Sequence, residues 1–291
     1  MEIGLLIPLA APYATREFVA ELGRRAEEAG FSSLWVGEHL VVPANWESQY
    51  PYTEDGAVPS AIRYGELDPY TTLCYLAGVT EKIRLGACTI VPQRNPVYTA
   101  KEIANADWLS GGRIDFGAGI GWCKEEFDAT QSEFPRRGAR CKSYLQLMRA
   151  LWENEVAEYH DDFYEMPPSL LYPKPLQGSR PPIHILGDSK AAMQRVASVG
   201  DGFFPLNQSP EEMVGLLKML DEVLAEENRS RSELKVSVCP YTRDVDLDTV
   251  KQYRDAGVEQ VVLFQFVESM EEMLRAVDEF ANTIAHPAQV L

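Results

Sequence analysis

The amino-acid sequence predicts an α/β fold, and within that class a (β/α)8 TIM barrel formed by residues 1–291 as a single domain. Three observations support this prediction. Short apolar runs alternate with longer segments of helical periodicity along the chain. Eight of these runs are continuously apolar, as in parallel strands that are buried on both faces. Eight such units in 291 residues favour a closed barrel over an open sheet.

The first half of the chain contributes four of the predicted strands. Strands are predicted at residues 3–7, 31–36, 83–91 and 113–121, and helices at residues 15–29, 96–109 and 136–154. The helical segments repeat apolar residues every three or four positions, as Tyr144, Leu147 and Leu151 do. Gly30 and Gly111 each stand where a helix should end, because glycine readily adopts the left-handed conformation found there.

The second half contributes the other four strands. Strands are predicted at residues 182–186, 202–206, 234–238 and 260–266, and helices at residues 189–199, 210–224, 246–256 and from 269 onward. Ser209 can cap the second of these helices, and Pro210 suits its first position. Gly200 and Gly257 each follow the last apolar residue of a helix and predict its end.

Two long segments without predicted secondary structure, residues 40–68 and 155–181, interrupt this alternation. Segments of this length within a compact domain are usually lids or binding loops. We expect both as insertions at the C-terminal face, which holds the active site of a TIM barrel. The alternative is packing that only covers the barrel mouth. For residues 40–68 we favour a lid, because aromatic residues such as Trp46 and Tyr50 need burial against something.

The composition limits the class of partner and the compartment. The net charge is −17, and such a surface repels nucleic acids and anionic membranes. The cysteines are five in number and scattered, so neither a disulfide framework nor a zinc site is indicated: Cys74, Cys88, Cys123, Cys141 and Cys239. No two histidines have ligand spacing, and we predict no metal. The N-terminal residues predict a strand and not a signal peptide, and we expect a cytoplasmic protein.

The segment of residues 113–127 is the most informative part of the sequence. Its predicted strand carries Gly117, Gly119 and Gly121, and the carboxylates Glu125 and Glu126 follow where the strand ends. Glycine within a strand marks a place where another group approaches the backbone closely. That group is either a bound cofactor or a neighbouring part of a crowded barrel, and this segment alone does not decide between them.

Two other strand ends carry polar residues. Glu38 and His39 follow the second strand, where an imidazole could move a proton, although a lone histidine more often has a structural role. Gly187, Asp188 and Ser189 form a strand-to-helix junction whose exposed amides favour a phosphate. An ordinary helix cap would have the same sequence.

Seven segments, taken together and in order, resemble the luciferase-like monooxygenase superfamily, and most closely its deazaflavin (F420)-dependent oxidoreductases. They are Trp35-Val-Gly-Glu-His39, Ile83-Arg-Leu-Gly86, Pro92-Gln-Arg-Asn-Pro96, Leu109-Ser-Gly-Gly-Arg113, Gly117-Ala-Gly-Ile-Gly-Trp122 with Glu125-Glu-Phe127, Arg136-Arg-Gly-Ala-Arg140, and Ala191-Ala-Met-Gln-Arg-Val-Ala-Ser-Val-Gly-Asp-Gly202. The TIM barrel predicted above is also the fold of that superfamily.

The resemblance implies a flavin or deazaflavin at the C-terminal mouth of the barrel. It implies that His39 faces the redox ring and that Glu125 or Glu126 donates a proton. It also implies a non-prolyl cis peptide behind the ring, for which Cys88–Thr89 is the best candidate, and a phosphate-binding turn at Gly187. The residues expected to contact the cofactor are Glu38, Cys88, Thr89, Gly117, Gly119, Gly121, Trp122, Gly187, Asp188 and Ser189.

The resulting functional prediction is an F420-dependent oxidoreductase that transfers hydride to or from a small organic substrate. The aromatic residues Trp46, Tyr50, Tyr52 and Trp122 suggest an apolar or ring-bearing substrate, unless they only pack the lid. One alternative keeps the fold and is an FMN-dependent monooxygenase. The other is a barrel that binds a ligand without catalysis. Members of the superfamily are often dimers, so we expect a homodimer.

Overall fold

The computed structural model describes residues 1–10, 13–177, 181–267 and 269–291. The strands in the described chain are β1 Glu2–Ile7, β2 Ser33–Val36, β3 Arg84–Ile90, β4 Ile114–Gly119, β5 Ala157–His160, β6 Glu165–Ser169, β7 Ile183–Leu186, β8 Gly202–Phe204, β9 Lys235–Val238 and β10 Gln260–Leu263. Eight of them are parallel and close into a barrel in the order β1-β10-β9-β8-β7-β4-β3-β2. The predicted (β/α)8 TIM barrel is therefore confirmed, and its eight strands are those expected from the apolar runs.

Helices connect the barrel strands in the described chain. The α-helices are α1 Arg16–Glu28, α2 Pro69–Ala77, α3 Pro96–Ser110, α4 Lys124–Ala129, α5 Arg137–Glu153, α6 Lys190–Val199, α7 Pro210–Glu226, α8 Leu247–Ala256, α9 Met270–Phe280 and α10 His286–Ala288. Short 3-10 turns occur at Ser60–Tyr64, Val91–Gln93 and Arg231–Glu233, and a π turn joins α9 to α10 over Ala281–Ala285. None of these helices is long and apolar enough to span a membrane.

The predicted helix boundaries agree with the capping contacts. Ser209 Oγ accepts from the backbone N–H of Glu212, whose carboxylate accepts in turn from the N–H of Ser209, which completes a capping box at α7. Gly111 and Gly257 adopt the left-handed conformation after α3 and α8, as predicted.

Helix α2 was not predicted from the sequence. Asp68 caps it by accepting from the N–H of Thr71, and Pro69 occupies its first turn. Its apolar face packs Leu73 and Leu76 into the core. The Asp-Pro pair followed by this spacing was the available signal, although the helix has only nine residues.

The prediction that residues 155–181 lie at the C-terminal face is wrong. This segment connects the end of α5 to the start of β7, and such a connection begins at the opposite end of the barrel. Gln177 Nε2 donates to the carbonyl of Ile114, the first residue of β4, at 2.6 Å. Strands β5 and β6 form an antiparallel hairpin that packs against the outer side of α5. The tyrosines and prolines of the segment therefore cover helices and not the barrel mouth.

The interior of the barrel is filled by side chains below its open end. Trp35 is fully buried there and packs edge-on against Phe204 and His184. A Cβ at Gly86 would lie 2.3 Å from Trp35 Cε3, so this glycine makes room for the indole. This strand glycine therefore has a structural role in the packed interior. Whether a cofactor can bind depends on the residues at the open end of the barrel.

Candidate active site

A cavity of about 280 Å³ opens at the carboxyl ends of the barrel strands. Every barrel strand contributes lining residues at or just after its last residue: Ile7, Gly37, Ile90, Gly119, Leu186, Leu206, Tyr241 and Phe264. Residues 40–68 add Tyr50, Tyr52, Ile62 and Glu66 to the wall. The cavity is therefore where a TIM barrel has its active site, and the first long insertion covers it as predicted.

A histidine–carboxylate pair lies in the wall of the cavity. His39 Nδ1 and Glu126 Oε1 are 3.0 Å apart, and both side chains are largely shielded from solvent. Burial acts to lower the pKa of His39, but the hydrogen bond and charge of Glu126, with smaller contributions from Glu66 and Glu38, raise it above the usual value. Because Nδ1 is engaged, Nε2 is the nitrogen available to hold or release a proton.

Glu125 and Glu126, which the sequence did not distinguish, have different positions. Glu126 faces the cavity, whereas Glu125 turns away and accepts hydrogen bonds from Ser48 N at 2.8 Å and Ser48 Oγ at 2.6 Å. A further bond comes from the N–H of Glu47. Partial burial acts to raise the pKa of Glu125, but these hydrogen bonds outweigh it and lower the pKa to about 2. Glu125 therefore anchors the 40–68 loop to the start of α4.

Glu38 lines the cavity with its carboxylate already occupied. Oε2 accepts from the N–H of Ile90 at 2.6 Å, and Oε1 accepts from Arg94 Nε at 2.6 Å. Burial raises the pKa of Glu38, although Arg94 opposes this shift. The pair fastens the end of β2 to the end of β3, so Glu38 positions the neighbouring His39.

An aromatic cluster forms one side of the cavity and holds the 40–68 loop over it. Trp46 stacks on Trp122 with ring centroids 5.5 Å apart, and Tyr50 meets Trp122 edge-on at 5.2 Å. The hydroxyls of Tyr50 and Tyr241 are 2.5 Å apart. Burial raises the pKa of both tyrosines, so both hydroxyls remain protonated at neutral pH. The loop is thereby joined to the far side of the barrel.

The described structure brings some of the predicted site residues to the cavity and leaves others outside it. Those that line it are Glu38, His39, Tyr50, Cys88, Gly119, Gly121, Trp122, Glu126 and Gly187. Those that do not are Trp46, Thr89, Gly117, Glu125, Asp188 and Ser189.

Gly117 and Thr89 face protein groups and not the cavity. A Cβ at Gly117 would lie 2.7 Å from the carbonyl oxygen of Ala87 and 3.3 Å from the Trp35 ring, so the chain itself fills the space that a cofactor was expected to use. Thr89 is fully buried, with its hydroxyl 2.8 Å from that of Tyr70.

The predicted cis peptide at Cys88–Thr89 is wrong. Among the described residues the cis peptide bond is Tyr172–Pro173. Strand β3 keeps an unbroken parallel register with β4 through both residues, with Cys88 opposite Gly117 and Thr89 opposite Ala118. This regular pairing is that of an ordinary strand, in which the Cys88–Thr89 peptide bond is trans. The Cys88 side chain nevertheless reaches the cavity wall.

The junction after β7 is the turn for which the sequence predicted phosphate binding. Gly187 has a φ of +98°, a conformation that favours glycine, and it lines the cavity. Ser189 caps α6 by accepting from the N–H of Ala192 at 3.2 Å. Asp188 accepts from Gln208 Nε2 at 2.9 Å and is exposed. Lys190, the first residue of α6, adds an exposed positive charge beside this turn.

His184 points into the barrel but lies below the cavity, against the edge of Trp35. Its Nε2 is 3.3 Å from Asp115 Oδ1, and Arg84 donates to both oxygens of the same carboxylate. Burial acts to raise the pKa of Asp115, but these partners hold it far below its usual range. His184 and Asp115 are buried, Arg84 is partly exposed, and none of the three lines the cavity, which indicates a structural role.

Sequence reasoning missed several lining residues. Glu66, Tyr241, Phe264 and Phe266 belong to three separate loops and have no motif around them. Tyr52 was noted as an aromatic residue but was not assigned to the site. The available signal was position alone. Tyr241 follows the predicted strand 234–238, and Phe264 and Phe266 lie in the last part of the predicted strand 260–266, at the end where barrel sites form.

The chain belongs to the luciferase-like monooxygenase family, whose model matches residues 1–285. An uncharacterized protein of Mycobacterium tuberculosis is 30% identical over 269 residues, which cover 91% of this chain and 93% of that protein. The confirmed barrel and the family membership agree with the resemblance seen in the sequence motifs.

Relatives with assigned activities differ in their cofactor. The F420-dependent glucose-6-phosphate dehydrogenase of Amycolatopsis mediterranei is 28% identical over 67% of this chain and 54% of that enzyme. The FMNH2-dependent dimethylsulfone monooxygenase of Pseudomonas putida is 30% identical over 56% of this chain and 45% of that enzyme. The coenzyme F420-dependent tetrahydromethanopterin reductase of Methanopyrus kandleri has the same fold, with a TM-score of 0.77 at 18% identity, over 97% of this chain and 98% of that one.

Proposed function

We propose that the protein is an F420-dependent oxidoreductase that exchanges hydride between the deazaflavin and a small organic substrate. The observation that carries the proposal is the His39–Glu126 pair in the wall of an aromatic cavity at the barrel mouth. Hydride transfer to or from carbon requires a group that moves the accompanying proton, and an imidazole with a carboxylate partner suits this task. The F420-dependent relative supports the choice of cofactor.

The residues present fit such a cofactor. A flat ring is accommodated by mostly apolar walls with few polar groups, as in this cavity. Gly119 and Gly121 line the cavity at the end of β4, between the side chains of Ile120 and Trp122. The turn at Gly187, with Ser189 and Lys190 at the start of α6, would hold the phosphate. When bound, the deazaflavin would supply or accept the hydride.

The proposed roles of this chain's residues follow from their contacts. His39 would hold or release the proton at Nε2. Glu126 would orient the imidazole ring of His39 and stabilise its protonated form. Glu38 and Arg94 would fix the backbone next to His39. The 40–68 loop, anchored by Glu125, would exclude water from the reacting atoms.

An FMN-dependent monooxygenase is the second candidate, because the Pseudomonas putida relative uses reduced FMN. Fluorescence titration of the purified protein with F420 and with FMN tests the two proposals. We expect micromolar binding of F420 and turnover of its reduced form without oxygen. Tighter FMN binding, with oxygen uptake dependent on reduced flavin, would select the monooxygenase. Binding of neither cofactor would refute both proposals.

A further inference from the structure

The charged groups in the cavity wall form pairs, with one exception. Glu38 is neutralised by Arg94, whose Nε lies 2.6 Å from Oε1. Glu126 is neutralised by His39 when the imidazole is protonated. Glu66 has no such partner among the described residues. None of the described lining residues is a lysine or arginine that could pair with it.

Glu66 is held in a position where its carboxylate cannot be solvated fully. It lies at the end of the 40–68 loop, where a backbone bridge joins it to Ala10 beside β1. Its Oε2 is shut off from solvent without a hydrogen-bond donor. A Cβ at Gly37 would be 3.0 Å from this oxygen, so the glycine provides the space that the carboxylate occupies. A buried acceptor without a donor is costly, and a ligand that supplies positive charge removes that cost.

The electrostatics agree with this geometry. Burial raises the pKa of Glu66; His39 opposes the shift, and the neighbouring Glu126 and Glu38 add to it. A raised pKa favours the uncharged carboxyl, and a cation bound beside Glu66 would shift it back toward the carboxylate. A charged Glu66 is among the smaller causes that raise the pKa of Tyr50 and Tyr241, which also line the cavity. An anionic group placed beside the Glu66 carboxylate would be repelled by it.

Aromatic rings surround the remaining space. Tyr241 stacks on Phe264 with centroids 4.6 Å apart, and Phe266 meets Phe264 edge-on at 4.7 Å. Tyr50 and Trp122 complete the ring-lined wall. Aromatic faces attract cations that have left water, and an adjacent carboxylate adds to this attraction. The combination recognises a positively charged nitrogen attached to an apolar body.

We infer that the cavity selects substrates bearing a cationic nitrogen on an apolar or aromatic body, with Glu66 as the carboxylate that pairs with the cation. The inference rests on the proposed function, because it names the class of substrate placed beside His39. It also predicts that phosphorylated and carboxylated substrates are excluded. Glu66 would thus determine specificity.

Binding of three small probes tests this inference separately from any cofactor chemistry. Benzyltrimethylammonium, benzyl alcohol and benzoate share a benzyl or phenyl body and differ in charge. Isothermal titration of the protein with each probe, alone and after saturation with F420, gives the dissociation constants. We expect the cation to bind at least about tenfold more tightly than the alcohol, and benzoate to bind more weakly than both.

Two variants assign the effect to one carboxylate. Glu66→Gln keeps the shape and removes the charge, and it should abolish most of the preference for the cation. Glu54→Gln removes one charge from an exposed position of the same loop and should leave the preference intact. Equal binding of cation and alcohol, or an unchanged preference in Glu66→Gln, would overturn the inference. Either result would leave the outcome of the F420 titration unaffected.

Discussion

His39 and Glu126 are 87 positions apart in the chain and form one acid–base unit in the fold. Their proximity makes the protonation of the imidazole depend on the carboxylate. The sequence identified both residues from their positions after β2 and β4, because strand ends meet at one face of a parallel barrel. It could not choose Glu126 over Glu125, since the direction of each side chain depends on the first turn of α4.

Glu126→Gln should lower the pKa of His39, because it removes a nearby negative charge. A titration of the His39 ring followed by NMR would measure this shift. In the proposed reaction the same variant should lose about 10²-fold or more in kcat, as should His39→Asn. A His39 titration that does not change in Glu126→Gln would contradict the coupling.

The same pair predicts a pH dependence of stability. The pKa of His39 in the folded protein lies above the unfolded value of 6.5. Its contribution to stability is therefore fully present below pH 6.5 and is lost as the pH rises through the folded pKa. The free energy of unfolding, measured by urea denaturation across this range, should fall more steeply with rising pH in the wild type than in Glu126→Gln. Parallel curves would show that the pair does not contribute.

Gly86 is the residue on which the packing of Trp35 depends. Gly86→Ala would place a Cβ 2.3 Å from the indole, and we expect a loss of about 1–3 kcal/mol or more in the free energy of unfolding. Gly215→Ala is the matched control, because a Cβ on this α7 residue meets no atom within 4 Å. That variant should gain about 0.4–1 kcal/mol. The free energy of unfolding of both variants can be measured by thermal and chemical denaturation. An equal change in the two variants would contradict the role of Gly86 in packing.

At the scale of elements, the barrel strands were the most predictable part. Their apolar runs are short and continuous, which is typical of parallel strands with both faces buried. Helix α2 and the β5–β6 hairpin were missed. The hairpin packs on α5, where Tyr164 meets Tyr144 edge-on. Its strands have four and five residues, too few for an alternation of apolar and polar residues to stand out. Its contacts decide its structure, and the sequence does not reveal those contacts.

The 40–68 loop is held over the cavity by Glu125. Glu125→Ala should release this anchor, because Ser48 and Glu47 lose their acceptor. We expect faster proteolytic cleavage within residues 40–56 and a higher KM with a smaller change in kcat. Glu54→Gln, in the same loop but without an anchoring contact, should behave as the wild type. Cleavage at an unchanged rate in Glu125→Ala would show that other contacts hold the loop.

The anchor should also respond to acid. The pKa of Glu125 is about 2 in the folded protein, below its unfolded value of 4.5. Its contribution is present above pH 4.5 and is lost as the pH falls toward 2. Loop cleavage by an acid-stable protease should therefore accelerate on acidification in the wild type and much less in Glu125→Ala.

At the scale of the molecule, a net charge of −17 gives a surface that repels nucleic acid, which agrees with membership of the luciferase-like monooxygenase family. The homodimer remains a prediction. Light scattering on the purified protein should give twice the chain mass of 32.6 kDa. A mass equal to one chain would contradict it.

The whole-molecule prediction from sequence was correct for the barrel and for the location of the cavity. It was incomplete for the wall, since Glu66, Tyr241 and Phe264 come from separate parts of the chain and meet only when the barrel closes. Each is an ordinary residue in its own segment. Only the closed barrel brings these three residues together in the wall of one cavity.

The central claim is that a deazaflavin binds in the cavity at the barrel mouth, and the dissociation constant of F420 for a cavity-filling variant tests it most directly. Leu206→Trp adds bulk to the cavity wall, whereas Val214→Trp adds it to an exposed face of α7. We predict micromolar binding by the wild type and Val214→Trp, and binding weakened at least about tenfold in Leu206→Trp. Equal affinity in all three proteins would place the cofactor elsewhere and contradict the account.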